Sequence, residues 1–330
     1  MHTILQQLGE IGIVPVIKID HPEHAVPLAR ALLGGGLPCA EVTFRTAAAE
    51  EAICRIEREL PNMLLGAGTV LSTEQADRAI DAGARFIVSP GFNPAVVEHC
   101  IKKGLPIAPG CASPTDMERA LELGLDVVKV FPAEQLGGLP FLKAVSVPYP
   151  ALHFIPTGGI GPDNLCAYLG FEKVLACGGS WMVPSALIEE GRFEEITRLC
   201  REAVRLMLGV SLAHIGINTE NEEKARETAE AFAALLGFCV KPGNGSFFAG
   251  EYVEAMKAPY LGWNGHIGFG VNNVVRARAY FERQGYVFRQ DTAKYTDSGK
   301  LNSIYFENEL ADFAVHIVNK WSLTDTTIYK

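Results

Sequence analysis

The sequence predicts an α/β protein: a closed (β/α)8 barrel followed by a small α+β domain of paired βαβββ modules. Two observations carry this. Short apolar runs alternate with amphipathic stretches eight times before about Ser180, and a histidine-led pattern occurs twice in the last third of the chain.

The eight apolar runs are Ile13–Ile19, Cys39–Phe44, Leu64–Val70, Phe86–Ser89, Pro106–Pro109, Val127–Phe131, Phe154–Thr157 and Val174–Cys177. Between them lie helical patterns such as His24–Leu33, Thr73–Ala82, Ala95–Lys102 and Pro114–Leu123, several opened by Asp, Ser or Pro and closed by Gly. Eight βα units favour a closed parallel barrel over an open doubly wound sheet, and no GxGxxG follows the first strand. Helical sequence continues through Phe193–Leu208, and a different pattern begins at Gly209-Val210-Ser211, which sets the expected domains at 1–208 and 209–330. The second domain repeats itself. Ala213-His214-Ile215-Gly216-Ile217 leads a helix to Leu236, and Gly265-His266-Ile267-Gly268-Phe269 leads one to Gln284; short strand-like runs follow each helix.

Composition narrows the partners. The chain has 330 residues, 48% hydrophobic and 20% charged, with a formal net charge of −9, which argues against nucleic acid or a membrane surface as partner. The N-terminus lacks a signal-peptide pattern and no segment approaches a membrane span, so a cytoplasmic protein is expected. Eight cysteines without CxxC spacing are expected to be reduced core residues.

Period-2 alternation puts Glu41, Thr43 and Arg45 on one strand face, and Lys129 with Val127 and Phe131 on another, both inward in a barrel. Pro132 ends the latter strand, which places Lys129 near the C-terminal mouth. Removing an amine from water favours its neutral, nucleophilic form, which suits imine chemistry on a ketone. An inward carboxylate such as Glu41 can shuttle the proton that carbon–carbon cleavage requires. A lysine that snorkels to solvent with Glu41 as mere ion-pair partner is the structural alternative. Arg45 offers a fork for a substrate carboxylate, and Lys18 a second charge at the same mouth. Thr157-Gly158-Gly159-Ile160 and Gly178-Gly179-Ser180 follow neighbouring late strands, where amide groups and following helix N-termini could cradle a phosphate.

Over about its first two hundred residues the chain resembles the 2-keto-3-deoxy-6-phosphogluconate / 4-hydroxy-2-oxoglutarate aldolase family. Glu41-Val42-Thr43-Phe44-Arg45-Thr46, Gly66-Ala67-Gly68-Thr69-Val70, Lys129-Val130-Phe131-Pro132-Ala133, Pro156-Thr157-Gly158-Gly159-Ile160 and Gly178-Gly179-Ser180-Trp181 carry the likeness, in family order. The resemblance implies a TIM barrel and a Schiff-base aldolase that releases pyruvate from a keto-acid substrate, with no metal or organic cofactor, as a homotrimer. It implies Lys129 as the imine lysine and Glu41 as the acid/base. Arg45 and Thr69 become carboxylate or pyruvyl contacts, Gly158, Gly159, Gly179 and Ser180 the phosphate site, and Pro90 and Phe131 shape the pocket. The phosphorylated six-carbon substrate is favoured over hydroxyoxoglutarate. Cys111-Ala112-Ser113-Pro114 departs from the bulkier Val-Met-Thr-Pro of many relatives, at the pocket floor.

The C-terminal repeat resembles the glyoxalase / vicinal-oxygen-chelate superfamily. That likeness implies a divalent metal held by His214, Glu254, His266 and His316, with Zn²⁺, Ni²⁺, Mn²⁺ or Fe²⁺ all compatible. Three alternatives stay open: a phosphate-binding epimerase or isomerase barrel with no use for Lys129, a degenerate barrel carrying a metal-binding or interaction module, and histidines that merely satisfy one another.

Overall fold

The computed structural model describes residues 1–320, and residues 321–330 of the expected second domain lie outside the described residues. The chain forms two compact units, Met1–Met207 and the segment from Leu208 on.

The first unit runs α1 (Thr3–Ile11), β1 (Ile13–Ile17), α2 (Ala25–Gly34), β2 (Cys39–Thr43), α3 (Ala49–Glu59), β3 (Leu64–Gly68), α4 (Thr73–Asp81), β4 (Phe86–Val88) and α5 (Pro94–Lys102). It continues through β5 (Ile107–Ala108), α6 (Pro114–Glu122), β6 (Val127–Val130), α7 (Gly138–Ser146), β7 (His153–Pro156), α8 (Leu165–Leu169), β8 (Cys177–Gly179), α9 (Ser185–Glu189) and α10 (Phe193–Leu208). The helices start where side chains satisfy their first amides. Ser72 accepts from Gln75 N, Asn93 accepts from Ala95 N ahead of Pro94, and Ser113 forms a reciprocal capping box with Asp116.

Strands β5-β4-β3-β2-β1-β8 form a parallel half-barrel sheet, and β6 pairs with β7 in parallel beside it. Single bridges, Gly110 to Lys129 and Thr157 to Gly178, link the pair to the sheet at both ends. Both strand faces are covered, so nearly every strand residue is buried, as parallel sheets require.

One expectation needs correcting. The eighth strand is Cys177–Gly179, not Val174–Cys177; its partner β1 pairs Ile13, Val14 and Pro15 with Cys177, Gly178 and Gly179, so the Gly-Gly pair is strand rather than turn. Val174 makes only an isolated bridge to Phe154. The helices after the two glycine pairs begin at Leu165 and Ser185 and are five residues long.

The second unit runs β9 (Ser211–Asn218), α11 (Glu222–Leu236), β10 (Val240–Pro242), β11 (Ser246–Ala249) and β12 (Val253–Met256), then β13 (Gly265–Val271), α12 (Val274–Arg283), β14 (Phe288–Tyr295), β15 (Leu301–Phe306) and β16 (Phe313–Asn319). These are two βαβββ units in one mixed sheet, ordered β10-β11-β12-β9-β13-β16-β15-β14, with β9 and β13 antiparallel at its centre. Alanines 225, 229 and 233, four apart on α11, let that helix lie close to Phe247, Ala249 and Ala255 on one sheet face. The other face carries the histidines.

The cysteines are all free, but not all core: Cys54 and Cys239 are exposed and Cys166 partly so. Cys54 falls off the stripe Ala49, Ala52, Ile53 and Ile56 that α3 buries, and Cys239 lies just past the αL cap of α11. No helix among the described residues is long and apolar enough to cross a membrane.

Candidate functional site

At the C-terminal ends of the first unit's strands, Lys129 of β6 places its Nζ 3.2 Å from Glu41 Oε1 of β2, both side chains almost completely buried. The approach depends on a neighbour without a side chain. Thr43 pairs with Gly68 on β3, and a Cβ at Gly68 would lie 2.2 Å from Glu41 Oε1. Burying one charge alone would be prohibitive, whereas an opposed pair is tolerated.

Around this pair the strand ends supply the remaining polar groups. Thr43 Oγ1 donates to Ile17 O at 2.9 Å and accepts from Arg45 Nε at 3.1 Å. Arg45 is exposed just past β2 and has no ion-pair partner among the described residues, which leaves its fork available to an anion. Thr69, directly after β3, has φ of 58°, a conformation that a β-branched residue rarely adopts. Phe131 lies beside Lys129, its ring centroid 5.4 Å from Nζ, and is 38% exposed at the mouth. Pro90 approaches from β4: its carbonyl sits where a Cβ of Gly110 would be, and Gly110 bridges Lys129.

Beyond Phe131, Gly158 and Gly159 have φ of 93° and 81°, and a Cβ on Gly158 would lie 3.4 Å from the Phe131 ring. Thr157 is buried with its Oγ1 unpartnered, against Gly178. Gly179 is covered by the Trp181 ring, and Ser180 is exposed. Lys18, directly after β1, has its ammonium paired with Asp20 at 2.6 Å.

Sequence reasoning named the Ser89-Pro90-Gly91 turn and Cys111 without their contacts, and missed Glu134 altogether. Ser89, buried, donates to Gly91 O at 2.8 Å and shapes the Pro90 turn. Cys111 follows the bridging Gly110, donates its amide to Lys129 O at 2.8 Å, and has its thiol pushed up to about 12, by burial first and by Asp116 second. Glu134 lies under the Gly158–Gly159 loop, with its carboxylate hydrogen-bonded by the Tyr168 hydroxyl.

In the second unit the four expected ligands meet. His214 Nε2 lies 3.2 Å from His266 Nε2, 3.2 Å from His316 Nε2 and 3.4 Å from Glu254 Oε2. The same carboxylate oxygen is 3.1 Å from His266 Nε2, while Glu254 Oε1 accepts from Ser246 Oγ at 2.7 Å. Cross-strand register explains the convergence: His266 faces Gly216, His214 and His316 both face Gly268, and Glu254 faces Gly216. A Cβ on Gly216 would strike the His266 ring at 1.9 Å, and one on Gly268 would lie 2.6 Å from the His214 ring. Burial pushes His214 down to about 4 despite Glu254, and holds His316 well below the ordinary imidazole range. Burial opposes ionisation of Glu254, but hydrogen bonds with His266 and Ser246 leave its carboxyl below the usual value.

The donor set fits a cation. Two donor atoms about 2.0–2.1 Å from a common ion in tetrahedral arrangement are separated by roughly 3.3–3.4 Å, close to the distances of His214 Nε2 from His266, His316 and Glu254, and the three histidine nitrogens all lie within 4.8 Å of one another. A single Nε2 of His214 has one proton or one lone pair to offer three neighbours, so the rings and carboxylate cannot all be satisfied by one another. The Nδ1 atoms of His266 and His316 are buried without partners, and His316 is instead held by Tyr305, stacked at 4.5 Å.

Residues 4–199 match the family Aldolase: KDPG and KHG aldolase. The chain is 53% identical over 207 residues to the 2-dehydro-3-deoxy-phosphogluconate aldolase of Treponema pallidum, covering 63% of this chain and 99% of that protein. It is 42% identical over 192 residues to the KHG/KDPG aldolase of Escherichia coli K12, covering 58% of this chain and 90% of that one. Among solved structures, KDPG aldolase from Legionella pneumophila, with pyruvate captured as a covalent carbinolamine, has a TM-score of 0.59 and 39% identity over 60% of this chain and 97% of that one. A buried lysine beside a buried carboxylate, within the region so matched, agrees with that covalent chemistry, and the chain belongs to the KDPG and KHG aldolase family as a class I, Schiff-base aldolase.

Proposed function

We propose that Lys129 is the imine-forming nucleophile and Glu41 the proton-transfer group. The observation that carries this is the 3.2 Å approach of their buried side chains. In this mechanism Lys129 passes a proton to Glu41, and the resulting neutral amine adds to the C2 ketone of a 2-keto-4-hydroxy acid. The carbinolamine hydroxyl leaves as water with the proton held on Glu41, giving a protonated imine and a free carboxylate. Glu41 takes the C4 hydroxyl proton, the C3–C4 bond breaks into the imine and an aldehyde departs. Glu41 returns a proton to C3 of the enamine, and water releases pyruvate and regenerates Lys129. Arg45 and Thr69 hold the carboxylate end, Pro90 and Phe131 wall the pocket, and Lys18 contributes charge at the rim while bound to Asp20.

Gly158, Gly159, Gly179 and Ser180, with Thr157 beneath them, form the phosphate cradle of this reading. The substrate is then 2-keto-3-deoxy-6-phosphogluconate in preference to 4-hydroxy-2-oxoglutarate. Thr157 and Gly178 bridge the two glycine pairs, which supports a common site and a barrel closed at that seam. The aldolase is assigned to residues 1–208, as a cytoplasmic homotrimer that uses no cofactor. Borohydride reduction in the presence of pyruvate tests the assignment: an adduct mapped to Lys129 and absent from Lys129→Ala supports it, and an adduct elsewhere, or none on folded protein, rejects it.

Residues 209–330 are assigned to a glyoxalase-like domain. His214, His266, His316 and Glu254 would hold a divalent metal, and the repeated module, the convergence of the three histidine nitrogens and the approach of Glu254 Oε2 to His214 and His266 support this. When bound, such an ion supplies Lewis acidity. The protein's part is to present neutral imidazoles, which burial assists at His214 and His316, and to fix Glu254 through Ser246. Metal analysis of the purified protein against His266→Ala tests it, and equal metal content in both would reject it.

A further inference from the structure

The loop after β7 is held from behind by three residues, of which Glu134 and Asn164 were singled out by neither strand register nor motif. Ala133 N donates to Thr157 O at 2.8 Å, Glu134 N to Gly158 O at 3.2 Å, and Asn164 Nδ2 to Gly159 O at 3.0 Å. A trans peptide directs its N–H opposite its C=O, so anchoring these three carbonyls aims the amides of Gly158, Gly159 and Ile160 away from their anchors. Those are the amides an anion at this loop would meet.

Glu134 is itself fixed. Its carboxylate accepts a hydrogen bond from the hydroxyl of Tyr168, a fully buried residue of α8. The stack leaves no slack: a Cβ on Gly159 would lie 2.5 Å from Glu134 Cγ, and one on Gly138 would lie 3.2 Å from the Tyr168 hydroxyl. Burial, and then the Glu134 carboxylate, push the Tyr168 phenol up, so the hydroxyl remains a donor. A carboxylate this near an anion site would repel the ligand if it swung free, and the hydroxyl holds it on α8.

We propose that Glu134 and Tyr168 are positioning residues for the phosphate end of the substrate: together they fix the Gly158–Gly159 amides and set the preference for a phosphorylated over an unphosphorylated keto acid. The inference rests on the reading of the two glycine pairs as a phosphate cradle. Neither residue touches the reacting carbons.

The test compares the full chain with Tyr168→Phe, Glu134→Ala and Glu134→Gln in steady-state cleavage of both substrates, with inorganic phosphate as a competing ligand. Tyr168→Phe and Glu134→Ala are expected to raise KM for the phosphorylated substrate about three- to tenfold, the loss typical of one hydrogen bond, with kcat within about twofold. The phosphate inhibition constant should rise in parallel. Hydroxyoxoglutarate cleavage and pyruvate trapping should not move, and Glu134→Gln, which still accepts from Tyr168, should behave as the parent. Equal losses on both substrates, or an unchanged KM for the phosphorylated one, would overturn the proposal while leaving the cradle standing. If phosphate fails to compete in the parent protein, the cradle reading fails and the proposal with it.

Discussion

Lys129 and Glu41 are buried as a charge-balanced pair brought together by β6 and β2, strands of two different sheets, whereas His214, His266 and His316 crowd three rings together with the single carboxylate of Glu254 beside two of them. The first set is satisfied by its own members. The second has more converging lone pairs than protons to share, which is the arrangement a cation resolves. Polar burial alone therefore does not describe a site; the balance of donors, acceptors and charge says what each one lacks.

The sharpest test of that contrast is Lys129→Ala. Cleavage is expected to fall by on the order of 10⁴-fold or more, read as pyruvate release, because the proposed imine-forming amine is removed. Glu41→Gln should lose about 10²- to 10⁴-fold, the usual contribution of a positioned proton-transfer group, yet still be trapped on pyruvate by borohydride. Retained cleavage in Glu41→Gln would show that the pair is an ion pair and nothing more. Gly68→Ala should cost roughly 10²-fold in kcat, since its Cβ would occupy the Glu41 Oε1 position and displace the carboxylate. Stripping metal with a chelator, or replacing Gly268 by Ala, should abolish metal binding with less than about a twofold change in pyruvate release, because neither site draws on the other's residues for its chemistry. A larger change in aldolase rate would show that the two sites are coupled.

Much of this was legible in the sequence because both architectures write themselves in periodic patterns. The runs around Glu41 and Lys129 obey period two, and the strands that contain them begin where expected. The second unit was readable through its repeat, since His-Ile-Gly occurs at the start of each module and encodes a clustered histidine and the gap that receives a histidine from the neighbouring strand. The misplaced eighth strand has a physical cause. Gly178 and Gly179 have poor intrinsic strand preference, and only pairing with β1 makes them strand. Glu134 and Tyr168 were invisible for a different reason: they lie 34 positions apart and meet only once β6, β7 and α8 are packed.

One feature is shared by the two units. Gly68 leaves room for Glu41, Gly216 for His266, and Gly268 for His214 and His316, each on a strand beside the one that bears the functional group. In both sheets the polar group is housed by subtracting a side chain from the adjacent strand. The vacancies are as much a part of the chemistry as the groups that fill them, and a variant library that spares the lysine and histidines but samples these glycines would silence both sites while leaving every reactive residue in place.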